Sequence, residues 1–290
     1  MSIQLITTVR ETRQVLSAVR QSERNISLVP TMGALHAGHG ALIEAARRIS
    51  DCVVVSIFVN PIQFDRREDY EAYLIDLPRD VEFCRERGAD IAFAPSPQEM
   101  YPVPPSTFVE VTGLSEHLCG RFRPRHFRGV TTVVTKLFQI VAPDRAFFGE
   151  KDAQQLAIIR RMVLDLNMPI EIVPVPIVRE PDGLALSSRN RRLSPQERPI
   201  APALFRALEA ARQVIAGGGD SVAQAREAAL NVLAPYPEMR VEYLEVVDDS
   251  TMTPVERVQG PVRIAAAVWL GATRLIDNVY CPGPAVQVRL

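Results

Sequence analysis

The chain has 290 residues, 47% of them hydrophobic and 23% charged, so it can fold into two modest domains and is neither disordered nor fibrous. Its 33 basic and 34 acidic side chains nearly cancel, which argues against a protein held mainly by nucleic-acid phosphates or anionic lipid. Only two of the basic residues are lysines, Lys136 and Lys151. In so arginine-rich a chain, a lysine is either chance or a position that requires a compact ammonium group.

The cysteines and the apolar runs exclude further classes of protein. The four cysteines are widely scattered, with no C-x-x-C pair and no histidines at zinc-ligand spacing, so neither a structural zinc nor a disulfide framework is expected. No stretch of the sequence approaches the roughly 18 apolar residues of a membrane-spanning helix, and residues 1–10 contain no apolar leader. We therefore expect a cytoplasmic protein that engages neither nucleic acid nor membrane.

The first half of the chain alternates short apolar runs with helical patterns. The run CVVVSIFV at Cys52–Val59 is continuous and β-branched, as in a strand buried on both faces of a parallel sheet. Further strands are predicted over Ile26–Pro30, Ile91–Ala94, Arg145–Phe148 and Ile170–Val178. Helices are predicted over Ala41–Ile49, Asp76–Arg87, Thr131–Val141 and Ala153–Leu166. Residues 1–177 are therefore expected to form a Rossmann-like α/β domain with a doubly wound parallel sheet, whose first strand is at Ile26–Pro30.

The composition changes after residue 178. The segment Arg179–Pro195 is rich in Arg, Ser, Asn and Asp and holds a Pro-Asp-Gly turn at 181–183, as in a linker or a working loop. The elements predicted beyond it are helices over Pro199–Ile215 and Ser221–Leu233 and strands over Val241–Val247, Val262–Leu270 and Thr273–Tyr280. Residues 178–290 are expected to form a smaller α+β domain.

The strongest functional signal is the string PTMGALHAGH at residues 30–39, between the predicted first strand and its helix. Gly33 lets the chain turn sharply, and Gly38 lets a ligand approach the helix N-terminus, where exposed N–H groups and the dipole favour phosphate. His36 and His39 lie three residues apart at that helix start, so both can donate to one bound anion. The alternative is that both histidines only cap and pack the helix.

The tetrad His-Ala-Gly-His at 36–39 is the H-x-G-H signature of the nucleotidyltransferase superfamily, and the longer string around it closely resembles the pantothenate synthetase family. Similar blocks follow in that family's order: SIFVNPIQF at 56–64, RPRHFRG at 123–129, FGEKDAQQ at 148–155, GLALSSRN at 183–190 and WLGATRLIDN at 269–278. The resemblance implies an ATP-dependent ligase of pantothenate and coenzyme A biosynthesis. It would join (R)-pantoate to β-alanine through a pantoyl-adenylate and release AMP and diphosphate.

The resemblance also implies roles for individual residues. His39 and Lys151 would be catalytic, because they would stabilise the charge on the departing diphosphate. Gln63 and Gln155 would hold pantoate, and Gln63 would also contact β-alanine. The ATP-binding residues would be Thr31, Met32, Gly33, His36, Gly38, His39, Gly149, Glu150, Lys151, Asp152, Val178, Leu186, Ser187, Ser188 and Arg189.

Several of these residues also have an interpretation without function. Lys151 and its acidic neighbours are equally typical of a solvated helix start, Arg189 of a charged surface loop, and Asn60 of a turn cap ahead of a proline. Lys136 lies in an apolar helical pattern, and we assign it no role. The arginines around His126 would attract anionic substrates, pair with acidic neighbours or contact a second subunit. They are Arg121, Arg123, Arg125 and Arg128.

One departure from the family pattern precedes Asp80. Where the family usually has Tyr-Pro-Arg-Thr, this chain has Tyr73-Leu74-Ile75-Asp76, which leaves the loop shape and its substrate contacts open. Asp80 matches the family's proposed magnesium ligand, although a single exposed carboxylate is more often only surface. The resemblance further implies a homodimer and ATP as a substrate together with Mg²⁺. Because an acyl-adenylate must be shielded from water, we expect the C-terminal domain and its 179–195 loop to close over the site.

Two rival functions share parts of this pattern. A nucleotidyltransferase that transfers a nucleotide to a phosphorylated small molecule would share H-x-G-H and diphosphate release, but it would form no amide bond. A non-catalytic nucleotide-binding regulator on the same fold would not require the intact His39, Lys151 and Arg189.

Overall fold

The computed structural model describes residues 3–71, 73 and 76–283. The chain divides into two compact units. Unit 1 comprises Met1–Thr112, Arg123–Glu150 and Ile158–Pro176, and unit 2 comprises Gly113–Phe122, Lys151–Ala157 and Ile177–Leu290. In the part of the chain that is described, no helix is both long enough and apolar enough to cross a membrane.

The strands and helices of the two units are numbered together along the chain. The strands are β1 (Gln4–Ile6), β2 (Ile26–Thr31), β3 (Cys52–Ile57), β4 (Ile91–Phe93), β5 (Arg145–Gly149), β6 (Glu171–Val175), β7 (Met239–Asp248), β8 (Val262–Leu270) and β9 (Thr273–Cys281). The helices are α1 (Val9–Gln21), α2 (Ala37–Ile49), α3 (Arg67–Glu71), α4 (Leu77–Glu86), α5 (Pro97–Met100), α6 (Leu118–Phe122), α7 (His126–Val141), α8 (Ala153–Asp165), α9 (Ala203–Ala216) and α10 (Val222–Leu233). Short 3₁₀ turns occur at Pro61–Gln63, Glu150–Asp152 and Ser188–Arg192.

Unit 1 is built on a six-stranded sheet in the order β1-β4-β3-β2-β5-β6, in which neighbouring strands run parallel. Strand β3 is buried along its whole length, as expected for a strand covered on both faces. On one side of β2 lie β3 and then β4, and on its other side lie β5 and then β6. The chain thus changes the direction in which it adds strands at β2. The topological switch point therefore lies at the carboxyl end of β2, where open α/β sheets bind ligands.

The predicted fold class is confirmed, but the sequence missed β1 and α1. Strand β1 has only three residues, and α1 is rich in charged residues and buries only Thr12 and Leu16. The strand at Ile26–Thr31 is therefore the second in the chain, not the first. Helices α2 and α7 begin at Ala37 and His126, earlier than predicted, because the glycines and histidines of their first turns have the composition of a loop.

Unit 2 packs α9 and α10 on a three-stranded antiparallel sheet in the order β7-β8-β9. Alanines that are fully shielded from solvent lie on both the helices and the sheet, including Ala207, Ala211, Ala225 and Ala266. Small side chains at these positions let helix and sheet approach closely. This arrangement confirms the smaller α+β domain.

Two short segments that the sequence placed in the first domain group with unit 2 instead. Within 113–122, Leu118 joins an apolar cluster with Val247 and Ala265, and Ala157 packs against the same cluster. The buried Gln154 side chain donates to the carbonyls of residues 114 and 117 and accepts the N–H of residue 119. These long-range contacts, which no local pattern reveals, assign both segments to unit 2.

Candidate active site

The loop after β2 has an unusual backbone conformation. Gly33 and Ala34 have φ angles of 79° and 52°, and for alanine this left-handed region is unfavourable by about 1–2 kcal/mol. The Asp80 carboxylate, which is 2% exposed, accepts the N–H of Ala34 at Oδ2 and that of Leu35 at Oδ1, each at 2.8 Å. Both carboxylate oxygens therefore clamp the loop that leads into the H-x-G-H motif.

The two histidines of the motif form a reciprocal cap at the start of α2. His36 Nδ1 accepts the N–H of Gly38 at 3.2 Å, and His39 Nδ1 accepts the N–H of His36 at 3.3 Å. The ring centroids lie 4.1 Å apart. Because an accepting ring nitrogen carries no proton, this geometry assigns the proton of each neutral ring to Nε2. The capping that the sequence offered as an alternative is present, and it orients both imidazoles as Nε2–H donors.

Gln63 is held beyond the carboxyl end of β3 by a network of buried amides. Asn60 and Gln63 are 1% and 6% exposed. Asn60 Nδ2 donates to Gln63 Oε1 at 3.1 Å and to Gly129 O at 3.0 Å. The hydroxyl of Tyr101 donates to Asn60 Oδ1 at 2.9 Å, and Gln63 Nε2 lies 2.9 Å from Met32 Sδ. Asn60 makes no side-chain cap to the described 3₁₀ turn that follows it, so the turn-cap interpretation is wrong.

The arginine-rich block around His126 contacts the backbone of Gln63. His126 Nδ1 lies 3.1 Å from Gln63 O, and Arg123 Nη2 donates to the same carbonyl at 3.5 Å. Gly129 packs so closely that a Cβ at this position would lie 2.5 Å from Gln63 Cα. Arg123 also forms an ion pair with Asp65 at 3.5 Å, which is the pairing with acidic neighbours that the sequence left open. The block therefore helps to fix the position of Gln63.

In unit 2, a cavity is lined by Lys151 and by the segment that follows Arg179. The Lys151 side chain is 18% exposed, and its Nζ lies 3.9 Å from Asp152 Oδ2. The other polar residues of the lining are Ser187, Arg189, Asn190, Arg274 and Asp277. The lining thus includes a lysine, two arginines and a serine, which are donor residues of the types that bind phosphate oxygens, together with the acidic Asp277.

The segment at 178–192 is a folded loop rather than a linker. Val178 O accepts the N–H of Leu186 at 3.0 Å, and an isolated bridge joins Arg179 to Ala185. Ser187 Oγ accepts the N–H of Arg189 at 3.2 Å and so caps the 3₁₀ turn that begins at residue 188. These bonds give Ser187 and Arg189 defined positions at the cavity.

Two ion pairs flank this cavity. Arg274 Nε donates to Glu242 Oε2 at 2.9 Å, and Trp269 Nε1 donates to Glu242 Oε1 at 2.8 Å. Burial alone would raise the pKa of Glu242, but these hydrogen bonds hold it below its usual value. Burial raises the pKa of the Asp277 carboxyl, although Arg179 donates to both of its oxygens, at 2.6 and 2.9 Å.

The sequence model of the pantoate-beta-alanine ligase family matches residues 4–280 of the chain. The chain belongs to this family. Pantothenate synthetase from Moorella thermoacetica is 51% identical over 277 residues, which are 96% of this chain and 98% of the relative. The solved pantothenate synthetase from Thermus thermophilus is 49% identical with a TM-score of 0.90, and the match covers 96% and 99% of the two chains. The chain is therefore an enzyme of the ligase class.

A more distant member of the pantoate-beta-alanine ligase family has been solved with ligands. This is the enzyme from Francisella tularensis, complexed with beta-gamma ATP and beta-alanine. It is 32% identical to this chain with a TM-score of 0.81, and the match covers 96% of this chain and 97% of that one. The fold of the present chain is thus shared by a family member that binds both of these compounds.

The magnesium role that the ligase resemblance gave to Asp80 does not fit its surroundings. Asp80 is buried rather than exposed, and each of its oxygens accepts a backbone N–H of the 34–35 loop. Among the residues that the structure describes, no group of three His, Cys, Asp or Glu side chains is placed to hold a metal ion. We therefore assign Asp80 to the clamp and derive no catalytic step through a metal at this position.

The residues predicted for this ligase fall on both units. Unit 1 contains Thr31, Met32, Gly33, His36, Gly38, His39, Gln63, Asp80, Gly149 and Glu150, and unit 2 contains Lys151, Asp152, Gln155, Val178, Leu186, Ser187, Ser188 and Arg189. Within unit 1 the structure brings Met32 to the Gln63 side chain. Within unit 2 it places Lys151, Ser187 and Arg189 around one cavity.

The segment that departs from the ligase family pattern is described only in part. Leu74 and Ile75 lie outside the described residues. Asp76 accepts the N–H of Arg79 at 3.2 Å and caps α4. Aspartate and the family's threonine are both good capping residues, so the departure at this position keeps the helix start.

The arginines of the predicted cationic cluster are divided between the two units. Arg128 lies over the ring of Phe108 at 3.9 Å, and Arg121 belongs to unit 2.

Lys136 lies over the ring of Tyr101 at 5.1 Å, which is a cation–π contact. Sequence reasoning missed Tyr101, which also supports the Gln63 network, because no motif surrounds it.

Proposed function

We propose that this ligase joins (R)-pantoate to β-alanine and cleaves ATP to AMP and diphosphate, through a pantoyl-adenylate intermediate. The product, pantothenate, would enter coenzyme A biosynthesis. The observation that carries the proposal is the clamped H-x-G-H loop at the switch point of the sheet, in the same unit as the buried amide network around Gln63. The ATP and β-alanine bound by the Francisella tularensis relative support the same substrates.

In the first step, a carboxylate oxygen of pantoate attacks the α-phosphorus of ATP. The new O–P bond forms as the bond between the α-phosphorus and the bridging oxygen breaks, and diphosphate leaves with the electron pair. A carboxylate with a pKa of about 4 is already ionised at neutral pH, so this step requires no general base. It requires alignment of the reactants and neutralisation of the phosphate charge.

The groups of unit 1 are suited to both requirements. The Nε2–H groups of His36 and His39 donate to phosphate oxygens at the N-terminus of α2, where the helix dipole also favours negative charge. The segment from the end of β2 to the first turn of α2 also contains Thr31, Met32, Gly33 and Gly38. Gln63 presents an amide to the hydroxyls and carboxylate of pantoate, and in the second step to β-alanine. Its orientation is supported by its bond from Asn60.

The predicted residues of unit 2 also have the chemistry to bind ATP and pantoate. Lys151 follows the departing diphosphate as a mobile point charge, and Arg189 binds it as a planar fork. Ser187 and Ser188 donate hydrogen bonds to ATP, and Asp152 belongs to the same ATP-binding set. Gly149 and Glu150, which precede Lys151 in the chain, belong to this set from unit 1. Val178 contacts the adenine through its backbone, Leu186 makes an apolar contact to ATP, and Gln155 contacts pantoate.

In the second step, the amine of β-alanine attacks the acyl carbon of pantoyl-adenylate. The neutral amine forms the amide bond as the bond from the acyl carbon to the AMP oxygen breaks. AMP leaves with the electron pair of that bond, and the attacking nitrogen releases one proton to solvent. An acyl-adenylate hydrolyses if water reaches it, so we assign shielding of the intermediate to the folded 179–195 loop. Limited proteolysis with ATP and pantoate bound tests this assignment, because unchanged cleavage of the loop would contradict it.

The remaining parts of the proposal concern metal, assembly and compartment. Magnesium enters with ATP and is held mainly by phosphate oxygens and water, as this ion prefers. The protein acts in the cytoplasm, and it acts as a homodimer, as the family resemblance implies. Sedimentation of the purified protein tests the dimer.

The experiment that tests the function is the exchange of labelled diphosphate into ATP with pantoate present and β-alanine absent. Reversible formation of pantoyl-adenylate predicts exchange that depends on pantoate. Pantothenate should then form when β-alanine is added. A folded protein that shows no pantoate-dependent exchange would contradict the adenylate mechanism, and a nucleotide retained in the product would favour a nucleotidyltransferase.

A further inference from the structure

The block WLGATRLIDN ends in two buried polar residues to which the sequence gave no role. Asp277 and Asn278 are 4% and 3% exposed and lie next to each other on β9. Successive residues of a strand point to opposite faces, so the two side chains reach different neighbours. Burying a carboxylate and an amide is unfavourable unless their hydrogen bonds are made inside the protein.

Asp277 fixes the beginning of the loop that carries Ser187 and Arg189. Its two oxygens accept Nη1 and Nη2 of Arg179 in a bidentate pair. Arg179 Nη1 also donates to Gly183 O at 3.0 Å, so the same guanidinium closes the 179–183 turn. A bidentate pair fixes the direction of the guanidinium as well as its distance, and Arg179 is therefore held in one orientation.

Asn278 fixes the backbone of Lys151. Arg263 Nη1 donates to Asn278 Oδ1 at 2.7 Å, and Asn278 Nδ2 donates to Lys151 O at 2.9 Å. Because a guanidinium can only donate, the amide oxygen must face Arg263 and the amide nitrogen must face Lys151. Arg263 is itself anchored, since its Nε donates to Asp249 Oδ1 at 2.7 Å.

One strand thus holds both phosphate-binding segments of unit 2. We propose that Asp277 and Asn278 are positioning residues that set the placement of Lys151 relative to Arg189 and so shape the diphosphate site. The proposal rests on the function proposed above. Their role is to hold the segments that carry Lys151 and Arg189, and misplacement of a catalytic group by about 1 Å can lower a rate about 100-fold.

The substitution that isolates this role is Asn278→Asp. The new carboxylate keeps an acceptor for Arg263, but it places an oxygen against the carbonyl of Lys151 and breaks that hydrogen bond. We expect pantoate-dependent diphosphate exchange to fall about 10- to 100-fold, with an unchanged KM for pantoate. In a Lys151→Ala background, the same substitution should change the rate by less than about twofold, because residues that act through one another are not additive.

A matched control is Thr273→Val, a nearly isosteric change at a buried residue of the same strand, which should leave exchange within about twofold of the wild type in either background. Asn278→Ala removes the contacts without adding charge and is the second variant if Asn278→Asp does not fold. If Lys151→Ala exchanges diphosphate too slowly to be measured, the dissociation constant of α,β-methylene-ATP is compared instead. The four proteins are the wild type, the two single variants and the double variant.

An equal loss in both Lys151 backgrounds, or full activity of the Asn278 variants, would overturn the positioning role. Absence of exchange in the wild-type protein would instead contradict the proposed function. Failure of the positioning role and failure of the proposed function are therefore distinguishable.

Discussion

The Asp80 clamp leads to the most specific prediction about unit 1. In an Asp80→Asn variant, one carboxylate oxygen becomes an NH₂ group. The loop presents two N–H donors to this side chain, from Ala34 and Leu35. One of them would therefore face another donor, while the size of the side chain hardly changes.

The expected loss of stability follows from these contacts. A hydrogen bond to a charged group contributes about 1.5–3 kcal/mol, and a buried N–H left without an acceptor costs about 1–3 kcal/mol. Relaxation of Ala34 from its left-handed backbone recovers about 1–2 kcal/mol. We expect the free energy of unfolding to fall by about 2–4 kcal/mol, and exchange to fall as well, because the histidines of α2 follow directly on the loop.

Urea unfolding followed by circular dichroism measures the first effect, and diphosphate exchange at a series of Mg²⁺ concentrations measures the second. Asp76→Asn, on the same helix, is the control, because asparagine caps a helix as well as aspartate and the change should be below about 1 kcal/mol. The clamp predicts that Asp80→Asn leaves the Mg²⁺ midpoint unchanged. Unchanged stability together with activity restored by excess Mg²⁺ would refute the clamp and favour a metal ligand.

Three further predictions address other residues. Lys151→Arg keeps the charge but should lower exchange about 10-fold or more, because a planar guanidinium cannot follow the moving diphosphate as an ammonium does; near-normal activity would make this lysine a matter of chance. Gly129→Ala should raise the KM for pantoate and lower the rate by up to about 100-fold, since its Cβ would displace Gln63 by about 1 Å. Gly260→Ala, where no described heavy atom lies within 4 Å of the new Cβ, is its control, and equal kinetics of the two variants would contradict the argument. The hydrogen bonds that lower the pKa of Glu242 favour its ionised form. They therefore stabilise the fold at pH values above about 4.3, the usual pKa of a glutamate, and this stabilisation is lost as the pH falls below that value. The stability advantage of wild type over Glu242→Gln in urea unfolding should therefore shrink between about pH 5 and pH 3, and a constant difference would contradict it.

The elements that could be predicted are those whose signal is local. The β-branched run of β3 and the glycines and histidines around the start of α2 are local signals. They predicted the parallel sheet correctly and placed a turn and a helix start after β2, whereas phosphate binding by that loop stays a prediction. Strand β1 was missed because three residues carry too little pattern, and α1 because its helix is largely polar.

The contacts that support the site are long-range, and no local pattern contains them. Asp80 accepts N–H groups 45 and 46 residues away, so neither its burial nor its clamp follows from its neighbours in sequence. Asn278 and Lys151 are separated by 127 residues. The resemblance gave Asp80 a metal role and gave Asn278 no role, whereas the fold shows which backbone groups they bind.

The most direct test of the central claim is to follow the carboxylate oxygens of pantoate. Pantoate labelled with ¹⁸O at both carboxylate oxygens is turned over with ATP and β-alanine, and the products are analysed by mass spectrometry. Attack on the α-phosphorus predicts one labelled oxygen in AMP and the other in the amide carbonyl of pantothenate. Label in inorganic phosphate with ADP as the nucleotide product, or unlabelled AMP, would contradict the pantoyl-adenylate.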